Sequence, residues 1–246
     1  MAAVRDRFQA LLFVLMGAAV LRISLLSELY LRYVKEGLRP LLIATGVVLL
    51  LLGLAAAVRE ARGYAQPHGG GEGHDHAHGP RVGWLLYVPA VMLLLFAPPA
   101  LGSYTAARDE VQADSLAGTF PALPDTDPLP LSVRDFSSRA VYDTERSLRD
   151  RTVRISGFVT PGDDGRWYLS RLLIQCCAAD AGVLKVEVYG AQAPAADTWV
   201  VVTGIWQPTG PAGSDAARPA LNATAVEEIP EPADPYRDTA PAAERD

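Results

Sequence analysis

TVRISGFVTPGDDGRWYLSRLLIQCCAADAGVLKVEVY, residues 152–189, decides the fold of the C-terminal part of this chain. Every second residue is apolar in VRISGFV and again in VLKVEVY, the period of a strand with one face on a core. PGDDG, residues 161–165, is a turn between the first two runs, and AADAG, residues 178–182, is a turn before the third. Working outward, five strand-like runs are expected, at residues 152–160, 167–174, 183–189, 198–206 and 220–229, each bounded by turn residues. Five short strands with one longer irregular link suit a small closed barrel, most simply an OB-like one, over residues 132–230. A short helix within residues 133–148 would turn Phe136, Ala140 and Val141 inward. Residues 105–131 lack periodicity and read as a tether. The tail, residues 231–246, is charged and proline-rich, a composition that predicts disorder.

Upstream the composition changes. Residues 1–104 carry 9 Lys and Arg against 6 Asp and Glu, a net of +3, and their apolar residues stand in long runs. The remaining 142 residues carry 13 against 22, a net of −9, with apolar residues dispersed as in a soluble domain. Three membrane helices are expected, at residues 8–26, 38–58 and 84–101. The first has the look of a signal-peptide core, but Arg22 follows it directly and further spans come after it. Trp84, Tyr87 and Tyr104 bracket the third, as aromatics at the headgroup level do. Three spans put Arg5, Arg7, Arg59, Arg62 and Arg81 on one side, and Arg22, Arg32, Lys35, Arg39 and Arg108 on the other. Five against five leaves the orientation to the first helix, whose usual dominance puts the N-terminus inside and the C-terminal domain outside the membrane. The predicted class is therefore a membrane α-helical anchor joined to an all-β soluble domain, the small OB-like five-stranded barrel.

The only two cysteines, Cys176 and Cys177, are adjacent at the end of an apolar run. Neighbouring residues of a continuous strand face opposite ways, so both thiols reach one ion only if the strand ends there, as the following turn predicts. Asp180 then adds a carboxylate, giving a soft, incomplete coordination sphere for zinc or another soft divalent ion. Two other readings stay open: a strained vicinal disulfide with redox chemistry, and plain packing of small apolar side chains. Arg171, five residues upstream, is either a solvent-face residue of the strand or a cation that activates the thiols. All four histidines, His68, His74, His76 and His78, lie in YAQPHGGGEGHDHAHGP, residues 64–80, with Glu72 and Asp75 among them. That loop reads as a weak, exchangeable metal site, or as a solvated loop in which histidine is merely tolerated.

Several classes are disfavoured. An acidic domain repels nucleic-acid phosphates, so Trp167, Tyr168, Trp199 and Trp206 read as core and rim, not as a base-stacking platform. No histidine follows residue 78, and neither a Ser/His/Asp arrangement nor a phosphate loop is present, so an enzyme is not expected.

The motif RxxIxCCAADA at residues 171–181, the five-strand domain, the PEPADPY run near the end and the three N-terminal spans resemble the YcgQ-like family of bacterial membrane proteins, described as permease subunits. The resemblance covers nearly the whole chain. It implies a separate multi-span membrane permease as partner, and a link to metal supply, zinc in particular. The expected function is thus a membrane-anchored accessory subunit in metal-ion handling; the alternatives are a membrane-bound thiol-redox protein and a permease scaffold without ligand chemistry.

Overall fold

A computed structural model describes residues 2–62, 100–108, 120–214 and 216–242, with side chains from residue 9 onward except at residue 164. The loop with His68, His74, His76 and His78, and residues 84–99 of the expected third span, lie outside the described residues. The chain divides into two units: Met1–Tyr30 with Val34–Pro99, and Leu31–Tyr33 with Ala100–Asp246.

The first unit contains helices α1, Ala2–Leu25, and α2, Arg39–Ala61. Leu and Ala dominate α2, and Pro40 sits in its first turn, where a missing N–H costs nothing. The two helices approach closely because glycines line the contact. A Cβ on Gly17 would lie 2.8 Å from the Gly46 carbonyl oxygen, and one on Gly53 would lie 2.9 Å from the Val14 nitrogen. Small residues are how apolar helices gain van der Waals contact when no water drives them together. Leu41, Leu51 and Leu52 of α2 face outward and are more than half exposed. The apolar helical run Glu36–Ala61 has 26 residues, about 39 Å of helix, against a hydrocarbon core of about 30 Å. It is long and apolar enough to cross a membrane; the described apolar part of α1, Gln9–Leu25, is shorter. Arg39 Nε donates to the Ser24 carbonyl at 2.9 Å, satisfying a C-terminal orphan of α1.

The second unit is a mixed six-stranded sheet: β1, Leu129–Pro130; β2, Thr152–Pro161; β3, Trp167–Leu173; β4, Gly182–Tyr189; β5, Trp199–Trp206; and β6, Ala220–Glu228. The order is β1-β2-β3-β4-β6-β5, and β5 pairs back onto β2, so β2 to β6 form a ring of hydrogen bonds. All five expected strands are present. The sixth, β1, adds parallel to β2 at Leu129↔Val153. A two-residue strand ending in proline carries no readable alternation, and it falls where a tether was expected. β2 serves two partners, pairing β5 over Thr152–Phe158 and β3 over Phe158–Pro161. Gly157 lies at that changeover, where a Cβ would stand 2.5 Å from the Ser170 carbonyl oxygen, so only glycine fits.

Helix α3, Ser103–Arg108, and helix α4, Val133–Tyr142, complete the unit. Phe136 and Ala140 of α4 join Leu129, Leu131 and Leu148 in the larger core cluster, packed on strand residues such as Ile155 and Val202. A second cluster holds Ala106, Phe158, Leu172, Ile174, Trp199 and Tyr236.

The tail departs from its expected disorder over residues 231–242. Tyr236 is buried; its hydroxyl accepts from the Leu101 N–H at 2.9 Å and donates to the Arg32 carbonyl at 3.0 Å. The Asp238 carboxylate accepts the N–H groups of Val133 and Arg134 at 3.0 and 2.7 Å, capping α4 together with Ser132 Oγ. Composition predicts disorder by counting apolar residues. Here one aromatic and one acid, each buried against specific partners, hold a proline-stiffened segment that has little entropy to lose.

Candidate metal centre

The connection from β3 to β4 carries the cysteines. β3 ends at Leu173, Ile174 still packs into the second cluster, and the chain then bends at Gln175 and Cys176. Cys177 is extended, with φ −154° and ψ 170°, and serves as N-cap to a 3-10 turn, Ala178–Asp180. The turn is closed by a capping box in which cysteine takes the place of serine: the Asp180 N–H donates to the Cys177 thiol, and the Asp180 carboxylate accepts from the Cys177 N–H. The same carboxylate accepts the N–H groups of Gln175 at 2.9 Å and Cys176 at 2.8 Å. Ala178 N donates to the Tyr33 carbonyl at 2.8 Å, a bond within the second unit.

Because the strand stops at this bend, the adjacent thiols do not diverge. Their sulfurs stand 3.7 Å apart, and both are free. One ligand atom from each of Cys176, Cys177 and Asp180 can be chosen so that all lie within 4.8 Å of one another. Cys176 and Asp180 are exposed and Cys177 is half-buried, so the group opens to solvent. It can hold a metal ion, two soft sulfurs and a carboxylate being a fitting donor set. The structure therefore brings together three of the residues singled out from sequence.

The electrostatics couple two of them. The hydrogen bond from the Cys176 thiol, followed by the Gln175 N–H, holds the Asp180 carboxyl down at about 2. In turn, the hydrogen bond to Asp180 and then that to Cys177 push the Cys176 thiol up to about 11. At neutral pH and without metal, Asp180 is ionised and Cys176 keeps its proton, which makes the thiol a weak nucleophile. A metal ion changes this balance by displacing that proton.

Arg171 fulfils neither of its expected roles. It is 3% exposed, so it is no solvent-face residue. Its guanidinium is taken up by other groups: Nε donates to the Ser156 carbonyl at 3.0 Å, Nη2 to Ser156 Oγ at 3.2 Å and Nη1 to the Pro235 carbonyl at 3.4 Å. It also lies 4.7 Å from the Trp199 ring centroid, and its Nε is 3.7 Å from Asp238 Oδ1. Burial lowers its pKa, opposed by the charges of Asp238 and Asp234. The side chain is thus an internal strut between β3 and the tail. Asp234 and Asp238, which sequence reading left in a disordered tail, are the residues it missed; the proximity of PEPADPY to no other motif gave them no partner.

No curated protein matches the chain. The segment that runs from α4 through the Cys176–Cys177 turn and five of the strands to Arg237, residues 133–237, matches the DUF1980 C-terminal domain, which fits the resemblance to the YcgQ-like family.

Proposed function

We propose that this chain is a membrane-anchored metal-handling protein that presents the Cys176–Cys177–Asp180 turn to a soft divalent ion, zinc first among them. The observation that carries this reading is the convergence of two free sulfurs and a carboxylate on an exposed turn. The turn is held by backbone hydrogen bonds and a capping box and sits between two strands of the sheet, an arrangement suited to binding. We read the ring of β2 to β6, parallel only between β4 and β6, as a small OB-like barrel. The apolar run Glu36–Ala61 supports anchoring in a bilayer, with α1 and the segment at 84–101 as further spans. The partner in this reading is a multi-span membrane permease, inferred from the YcgQ-like resemblance, with the domain outside the plasma membrane. The protein binds and delivers; it is not an enzyme.

The test is zinc titration of the full chain in detergent, beside Cys176→Ser/Cys177→Ser and a variant with His68, His74, His76 and His78 changed to Ala. One tight equivalent should persist in the histidine variant and weaken at least tenfold in the cysteine variant. Equal binding by the cysteine variant would refute the reading.

A further inference from the structure

We propose that Cys176 and Cys177 hold a zinc-class ion as a two-sulfur chelate along one edge of a tetrahedron, leaving the other two positions for ligands from the molecule that delivers or takes the ion. This deepens the proposed metal-handling role and rests on it. The sulfur separation is the first ground. Two Zn–S bonds of about 2.3 Å at the tetrahedral angle place their sulfurs about 3.8 Å apart, whereas a linear arrangement needs about 4.6 Å. The thiols stand at 3.7 Å before any ion arrives, so the tetrahedral edge is already set.

The second ground is what Asp180 is doing. A carboxylate offers about four lone-pair positions. Oδ1 takes the Gln175 N–H at 2.9 Å, and Oδ2 takes those of Cys176 at 2.8 Å and Cys177 at 3.4 Å. Those three amides belong to the residues whose direction sets the sulfur pair. With three of those positions taken, we assign Asp180 as a positioning residue that keeps the two thiols on one side and stays outside the inner sphere, although its oxygen lies within reach of the sulfurs. Exposure is the third ground. Cys176 and Asp180 are exposed, so the two remaining coordination positions face solvent.

A half-filled sphere changes how the ion moves. On loading, two Zn–S bonds form and the two thiol protons pass to solvent. On unloading, an imidazole, thiolate or carboxylate of the acceptor bonds to zinc first. The sulfurs then leave one at a time, each taking back a proton, with no change of oxidation state. Exchange of this kind is associative, and its rate depends on the acceptor's concentration.

The experiment uses the full chain in detergent with His68, His74, His76 and His78 changed to Ala. It is loaded with one equivalent of Zn2+ and mixed rapidly with the chromophoric chelator 4-(2-pyridylazo)resorcinol. The expected transfer rate doubles with each doubling of chelator over a tenfold range. A rate independent of chelator would mean that zinc leaves a closed sphere before capture, and overturns the two-sulfur chelate while leaving metal binding intact. Failure to retain zinc before mixing, or equal retention after adding Cys176→Ser/Cys177→Ser, overturns the metal-handling reading and this inference with it. An Asp180→Asn form gives the independent check: chelator dependence persists and the loaded fraction falls if Asp180 positions the thiols. Unchanged loading overturns its positioning role.

Discussion

Asp180 and Arg171 show how differently two charged residues on one short motif can be used. Asp180 is exposed, yet its carboxylate organises the turn through backbone N–H groups and holds the proton on Cys176. The consequence is testable on the metal-free protein. Alkylation of Cys176 by iodoacetamide, followed by peptide mass spectrometry, should be slow near neutrality and climb about tenfold per pH unit up to about pH 10, because the thiolate fraction is still rising there. A rate that bends over at about pH 8.5 and is level by about pH 10 would show an ordinary thiol. Arg171 is buried with Asp238 for a partner. Removing one member of a buried pair strands the other, at a cost of about 3–5 kcal/mol. Arg171→Met should lose stability of that order in urea unfolding followed by tryptophan fluorescence. Arg171→Met/Asp238→Asn should recover part of it, since the stranded charge is gone. Additive losses would mean that the two side chains are not coupled. The cysteine pair and Asp180 were legible from spacing alone, because all three lie within five residues. The partners of Arg171 were not: Asp238 is 67 positions away, and only the folded chain brings them together.

Elements repeat this division between local and distant signals. β2 and β4 alternate in sequence and are strands in the fold, and α4 buries Phe136, Ala140 and Val141 as its periodicity demands. β1 was invisible, since two residues show no period and its pairing depends on β2 already being in place. The tail hid for a different reason: Tyr236 and Asp238 act through single specific contacts, which composition averages away. Two predictions belong at this scale. Asp238→Ala uncaps two N–H groups of α4 and should destabilise the domain by about 1–2 kcal/mol in addition to its effect on Arg171. Gly17→Leu drives a side chain into the α2 backbone; overpacking of that kind costs about 1–3 kcal/mol. It should lower the thermal stability of the full chain in detergent, whereas Leu15→Ala, at an outward position, should change it little. Equal effects would place the α1–α2 contact elsewhere.

At the scale of the molecule, an anchor and a binding domain divide the work of the proposed function. The positive charges on the two sides of the three expected spans balance, so sequence reading leaned on the first helix alone for orientation. Reporters fused after Gly63 and after Tyr104 should report opposite sides of the membrane; the same side for both would remove the third span from the account. The ring of strands, the turn and its donors hold whichever way the anchor is inserted. The central claim is that Cys176 and Cys177 are the ion's ligands, and X-ray absorption at the zinc edge of the loaded full chain reads this directly. Two sulfurs at about 2.3 Å with two lighter atoms completing the shell is the predicted result. A shell of nitrogen and oxygen alone would contradict it and move the metal away from the β3–β4 turn.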